Sequence, residues 1–305
     1  MFDYSFTVAY ISAKETSILT REAANRIAAD RTDAPRLLLQ SGYGGGDGGT
    51  VSDLTDRELS DLRRFIMDNM PDQLYPLLIL PYDAHNLKVL LKCTVSGSDP
   101  APYLYDNTVY DTEIAAACCR GGEFSLLSDV IAEILNPAYD NGMLSAPFDI
   151  STECDRAFYT QISKTAETAP EPLGEYIKAE IDGKNLISYY RAKNTKLPAD
   201  SFEKLILPGG GVPERIFTGA YASGADDLRE YTFGYDAHDA FRSASEAYSR
   251  SMTDMKDVLD AYAASKLEPY KYETDSPAPV FLYFKKKLTE ARYIREAFSA
   301  GGGTV

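Results

Sequence analysis

Apolar residues recur every three to four positions through most of the chain, and this spacing predicts α-helices. Three of these apolar stripes contain Leu59, Leu62, Ile66 and Met70; Leu126, Leu127, Val130, Ile131, Ile134 and Leu135; and Met252, Met255, Val258, Leu259 and Tyr262. Alternating, strand-like runs are scarce, and clusters of glycine and proline separate the stripes. The pattern predicts an all-α fold of many short helices joined by tight connections.

An internal repeat, D-x-x-N-L, divides the chain. Residues 82–91 read YDAHNLKVLL and residues 181–190 read IDGKNLISYY. The shared positions are Asp83, Asn86 and Leu87 in the first copy and Asp182, Asn185 and Leu186 in the second. A weaker third copy lies in residues 284–298, where Glu290 takes the place of the aspartate, Tyr293 that of the asparagine, and Arg295 is a following basic residue. The repeat predicts three similar helical-bundle domains, at 1–105, 106–207 and 208–305.

The repeated aspartate precedes a helical stripe, so we expect it to act as an N-cap. In that position Asp83 and Asp182 would accept hydrogen bonds from the first helical turn and favour the positive end of the helix dipole. Asn86 and Asn185 would then tie the helix to the connection before it. Pro213 and the acidic residues after each copy predict a further helix start at 105–117 and at 207–220.

Charge and hydropathy exclude several classes of function. The chain carries 31 basic and 46 acidic residues, a net charge of −15, which disfavours binding to nucleic acid or to anionic lipid. No apolar run reaches the roughly 20 residues that a membrane-spanning helix needs. The N-terminus has an early aspartate and no basic segment, which predicts no signal peptide and a cytoplasmic protein without direct membrane insertion.

Candidate catalytic and metal-binding groups are few. The cysteines, Cys93, Cys118, Cys119 and Cys154, have no C-x-x-C spacing and are expected to be buried reduced thiols. His85 occupies a position that is Lys184 in the second copy, and His238 suits a solvated helix start. The glycine stretch at 41–53 and Pro208-Gly-Gly-Gly lack the lysine of a phosphate-binding P-loop, so both are expected to be loops. We therefore predict no catalytic residues, no cofactor and no metal site.

The 22 tyrosines occur in a chain without tryptophan. Tyrosine suits a wet protein–protein interface and half-buried helix packing equally well, and both interpretations stay open for residues such as Tyr221 and Tyr262.

The ordered set of motifs resembles the C subunit of archaeal and bacterial V/A-type ATPases, whose eukaryotic counterpart is the d subunit. The resemblance rests on LPYDAHNLKVLLKCTVSG, AEIDGKNLISYYRAKNTKL, the closing YFKKKLTEARYIREAF and the opening VAYISAKETSIL. These segments span the whole chain in the order of the family. Tyr293 departs from the family's asparagine, and the glycine stretch at 42–49 is unusually rich.

The resemblance implies three helical domains around a pseudo-threefold axis, in the shape of a funnel. It implies a non-catalytic rotor component on the cytoplasmic face of the membrane. This component would receive the D and F subunits of the central shaft and rest on the membrane ring of proteolipid subunits. It would couple the two during ATP-driven proton or sodium transport, or during ATP synthesis.

An alternative function is that of an acidic helical enzyme with an unrecognised carboxylate site. A single active site would leave one unusual constellation outside the repeat, whereas a pseudo-symmetric socket would repeat its scaffold. The repeat therefore favours the socket.

Overall fold

The computed structural model describes residues 3–44 and 48–299, and within them the secondary structure is entirely helical, as the sequence predicts. The chain divides into two compact units, one formed by the described residues of Met1–Tyr75 and Leu267–Val305 and the other by Pro76–Lys266. No helix in the described part combines the length and apolar character needed to cross a bilayer. The glycine stretch is only partly described, because residues 45–47 lie outside these ranges.

The first unit joins the two ends of the chain. Its helices are α1 (Ser5–Glu15), α2 (Arg21–Ala29), α3 (Ala34–Gln40), α4 (Val51–Asp68) and α14 (Ala278–Ser299). α14 packs against α1, α2 and α4, and its residues Ile294 and Phe298 share a core with Leu38 and Leu54. Thr50 and Asp53 form a capping box that begins α4, whose predicted stripe is buried.

The second unit contains two groups of helices. The helices are α5 (Pro76–Ser96), α6 (Thr112–Gly121), α7 (Asp129–Asp140), α8 (Pro147–Glu167), α9 (Glu171–Thr195), α10 (Ala199–Glu203), α11 (Glu214–Ala222), α12 (His238–Tyr248) and α13 (Met252–Ser265). α5 packs against α6 and α8, and α9 packs against α11 and α13. Each group therefore surrounds one of the two complete repeat motifs.

Most predicted stripes lie in helix cores, with one local error. Met255 and Leu259 of α13 are buried as expected. Leu126 is 66% exposed because Ser128 caps α7, which leaves Leu126 outside the helix. The helix starts predicted in 105–117 and 207–220 are confirmed at Thr112 and Glu214, the first residues of α6 and α11.

The division into three sequential domains stays a prediction. Packing groups α5 with the helices that follow it and α14 with helices near the N-terminus. The second compact unit begins at Pro76 with α5, which carries the first motif, whereas the predicted ranges place that motif near the end of a domain.

Candidate functional site

The first D-x-x-N-L motif fastens the middle of α5 to the loop before α6. Asn86 is buried, its Oδ1 accepts the Tyr105 N–H at 2.8 Å, and its Nδ2 donates to the Tyr105 carbonyl at 2.8 Å. The two carboxylate oxygens of buried Asp83 accept the N–H groups of Val109 (3.0 Å) and Tyr110 (2.8 Å). We call this set of four hydrogen bonds the motif clamp.

The second motif makes the same clamp in α9. Asn185 accepts from the Leu207 N–H at 2.8 Å and donates to the Leu207 carbonyl at 2.9 Å. Asp182 accepts from Gly211 (3.1 Å) and Val212 (3.0 Å). Each clamped loop runs directly into a helix, α6 in one group and α11 in the other. The repeat is therefore a repeat of hydrogen bonding as well as of sequence.

The two clamped loops share their backbone conformation. Asn107 and Gly209 occupy the same place, two residues after the clamped Tyr105 and Leu207, and both have a left-handed φ, of 49° and 88°. Glycine and asparagine are the residues that adopt this region most readily. A Cβ on Gly210 would collide with Asp182 Oδ1. The triple glycine thus lets the backbone approach the carboxylate.

The N-cap expectation for Asp83 and Asp182 is wrong. α5 begins at Pro76 and α9 at Glu171, so both aspartates lie inside their helices. The apolar run before Asp83 belongs to α5, and Pro81 does not end the helix. The expectation that the asparagines hold the preceding connection is wrong as well, because their partners belong to the loop that follows.

The third copy keeps one part of the clamp. Glu290 is 1% exposed in the middle of α14, and its Oε1 accepts the Leu19 N–H at 2.7 Å. Leu19 lies just before α2, as the other clamped loops lie just before α6 and α11. Tyr293, at the asparagine position, instead presents its ring to Arg21 at 4.9 Å and Arg292 at 5.0 Å. The third loop thus comes from the opposite end of the chain.

A buried lysine compensates the third carboxylate. Lys287 donates to Glu290 and forms an ion pair with Glu58 at 2.6 Å. Burial raises the pKa of Glu290, while the Lys287 charge and the Leu19 N–H lower it. Arg295 pairs with Asp56 at 2.9 Å on the surface. Sequence analysis missed Lys287 and Glu58, although a lysine three residues before a glutamate on an apolar helix was a usable signal.

Burial dominates the electrostatics of the two aspartates. It raises the pKa of Asp83 and of Asp182 to about 7, against the opposing effect of the backbone N–H groups that bond each carboxylate. Carboxylates with pKa values near neutrality are candidates for acid–base chemistry. Here, however, both oxygens of each group accept backbone hydrogen bonds, which suits a loop anchor.

The other candidate side chains have structural contacts. Leu87 and Leu186 are fully buried core residues. His85 Nε2 lies 2.9 Å from the Tyr103 carbonyl, and His238 begins α12 as predicted, with Nδ1 3.3 Å from Thr232 Oγ1. Among the cysteines, Cys118, Cys119 and Cys154 are buried and Cys93 is half-buried.

Comparisons with known proteins place these features in a family context. A family model described as ATP synthase (C/AC39) subunit matches residues 7–298. The chain is 22% identical to the C subunit of the A-type ATP synthase of Thermococcus gammatolerans, over 96% of this chain and 84% of that protein. It is 21% identical to the same subunit of Pyrococcus horikoshii, over 96% and 85%. It is 20% identical to the C subunit of the V-type sodium ATPase of Enterococcus hirae, over 93% and 90%.

Proposed function

Because the chain belongs to the ATP synthase (C/AC39) subunit family, we propose that it is a non-catalytic central-stalk component of a V/A-type rotary ATPase. In this role it is a socket on the cytoplasmic face of the membrane that couples the D and F subunits of the shaft to the ring of proteolipid subunits. The observation that carries the proposal is the family match over residues 7–298, together with relatives named as the C subunits of A-type ATP synthases and of a V-type sodium ATPase.

The motif clamps support a role in transmitting torque. A part that transmits torque has to keep its helices and loops in fixed register. Each complete clamp uses two bidentate side chains to hold a loop against the middle of a long helix. The aspartate and the asparagine hold the loop at two separate points, which restricts its movement more than either side chain alone would.

The same contacts favour a structural component over an enzyme. Asp83 and Asp182 are the carboxylates whose pKa values are raised to about 7, and all their oxygens bond to backbone N–H groups. A general base has to lie within hydrogen-bond reach of its substrate, and only 5% of Asp83 and 1% of Asp182 is exposed. The contacts and burial of these two carboxylates therefore favour a structural role over acid–base catalysis.

The proposal is tested by affinity purification of the tagged chain from native membranes in mild detergent, followed by mass spectrometry. We expect to recover the D and F subunits and the ring proteolipid. The net charge of −15 predicts that recovery decreases as salt screens contacts to basic partner surfaces. Recovery of the chain without these partners at low salt would overturn the proposal.

A matched pair of variants sharpens the experiment. Asp83→Ala removes half of a clamp, whereas Asp111→Ala removes only the exposed N-cap of α6 in the same unit. Under the proposed function the first variant recovers less of the partner subunits than the second. Equal recovery would remove the clamps from the argument for a socket.

A further inference from the structure

A basic groove interrupts the acidic character of the second unit. It has a volume of about 460 Å³, and its lining includes four cationic side chains and one carboxylate. The cations are Lys88, Lys184, Arg191 and Lys256, and the carboxylate is Asp155. In a chain with a net charge of −15, this local excess of positive charge runs against the overall balance.

Two of the cations, Lys184 and Arg191, are exposed in the groove. Lys88 is committed, because its Nζ donates to Asp155 at 2.7 Å. Lys184 is exposed, and its ammonium group donates a hydrogen bond to the Tyr159 hydroxyl, with Nζ 6.0 Å from the centre of the ring. The guanidinium of Arg191, also exposed on α9, makes no hydrogen bond or ion pair with any residue in the described part of the chain. Arg191 can therefore turn toward an incoming anion without breaking an ion pair, and the Lys184 ammonium has further N–H donors beyond the one that bonds Tyr159.

Two acids near Lys184 limit the positive charge and lie outside the lining of the groove. Glu180 and Asp260 interact electrostatically with Lys184, and neither belongs to the lining. Solvent-exposed charges farther away than the Debye length, about 8 Å at physiological ionic strength, are largely screened. Contacts made inside the groove are screened much less, so the local cations decide what binds there.

One wall of the groove is aromatic. Tyr82 and Tyr105 form an edge-to-face pair with ring centres 5.2 Å apart, and Tyr159 lies beside Lys184. The volume falls within the roughly 300–1,000 Å³ of small-molecule sites. A planar guanidinium recognises phosphate bidentately, and a lysine adds a point charge to the same oxygens.

We propose that this groove binds a polyphosphate group, carried by a nucleotide or present as inorganic polyphosphate. Arg191 and Lys184 contact the phosphate oxygens, and the tyrosine wall receives any planar group attached to them. The proposal rests on the groove alone and does not depend on the role of the chain in a rotary ATPase.

Isothermal titration calorimetry of the full chain tests the proposal, with inorganic tripolyphosphate and ATP as separate probes in magnesium-free buffer. We expect saturable binding that weakens about tenfold in Arg191→Gln and in Lys184→Gln, the scale of one charge-assisted hydrogen bond. Lys178→Gln is the matched control, because Lys178 lies on the same helix and pairs with Glu175 outside the groove.

The two probes distinguish the sources of the phosphate. Tighter binding of ATP than of tripolyphosphate assigns the aromatic wall to a nucleotide, and equal binding assigns the groove to inorganic polyphosphate. The proposal is overturned if neither probe saturates, if Lys178→Gln weakens binding as much as Arg191→Gln, or if a polyglutamate peptide displaces tripolyphosphate at lower concentration than ATP does. Both groove residues are exposed, and a thermal melt unchanged from that of the unsubstituted protein establishes that each variant is folded.

Discussion

Replacement of Asp83 by alanine tests whether this residue holds the loop through the motif clamp or acts as an ordinary helix cap. The substitution leaves the N–H groups of Val109 and Tyr110 without their carboxylate partner. An unsatisfied buried donor costs about 1–3 kcal/mol. Val109 and Tyr110 are half-buried, so water reaches part of this loop and the cost of each donor lies in the lower half of that range. For the two donors together, we expect the free energy of unfolding to fall by about 2–4 kcal/mol.

Hydrogen exchange of the peptide 105–111, read by mass spectrometry, is the sharpest assay. A multi-group helical protein does not have to unfold in two states, whereas amide protection reports this loop directly. Asp83→Ala should remove protection from the Val109 and Tyr110 amides. Urea unfolding followed by circular dichroism gives the accompanying loss of stability.

Asp111→Ala supplies the control. Asp111 is the exposed N-cap of α6 and accepts from Glu113 and Ile114, so its loss should cost about 1 kcal/mol and affect those two amides. If Asp83→Ala costs no more than Asp111→Ala, or if residues 105–111 stay protected, the clamp does not hold the loop and the reasoning is refuted.

The buried carboxylates and the close glycine contact allow three more tests. The raised pKa values of Asp83 and Asp182 mean that the folded protein binds these protons more tightly than the unfolded chain does. The free energy of unfolding should therefore fall as pH rises from about 4 to about 7, by at most about 1.4 kcal/mol per pH unit for each group. Urea unfolding across this pH range measures the change, and a steady rise in stability would contradict the prediction. Gly210→Ala should destabilise the protein by about 1–3 kcal/mol, because the added Cβ collides with Asp182. Gly219→Ala, at an open position in a helix, should instead stabilise it by about 0.5–1 kcal/mol. Equal shifts in melting temperature for the two variants would refute the close approach of the Gly210 backbone to Asp182. Lys287→Met should lower the free energy of unfolding by about 3–5 kcal/mol, because it leaves the Glu290 carboxylate buried without its cation. The double variant Lys287→Met with Glu290→Gln should recover part of that loss. In the same denaturation assay, Arg295→Ala at the exposed ion pair should cost less than about 1 kcal/mol.

Helix periodicity predicted most of the fold because, in a helical bundle, an apolar stripe along one face of a helix packs into the core. Met255 and Leu259 lie in the core for this reason. Periodicity was weaker at helix ends, where a single capping residue, Ser128, excluded Leu126 from α7. The same weakness placed the repeated aspartates at helix starts, because nothing in the apolar pattern shows that Pro81 is tolerated inside α5.

The motif itself was visible in the sequence, but its partners were not. Asp83 and Asn86 bond to backbone atoms, and every residue other than proline offers the same N–H and carbonyl. Only the left-handed residues, Asn107 and Gly209, leave a trace of the clamped loop in the sequence. The basic groove was missed for a different reason, since its cations are spread over three helices and no run of charge marks it.

The spacing of the copies shows what the repeat preserves physically. Asp83 and Asp182 are 99 positions apart, whereas the clamped Tyr105 and Leu207 are 102 apart, so the second connection between motif and loop is three residues longer. A longer connection is tolerated because the clamp fixes both of its ends, and loop length alone adds little entropic cost. In the third copy no such connection exists, and Glu290 holds a loop from the other end of the chain. The clamp therefore defines the two complete repeats, and its one remaining hydrogen bond in the third copy, from the Leu19 N–H to Glu290, joins the N-terminal segment to the last helix.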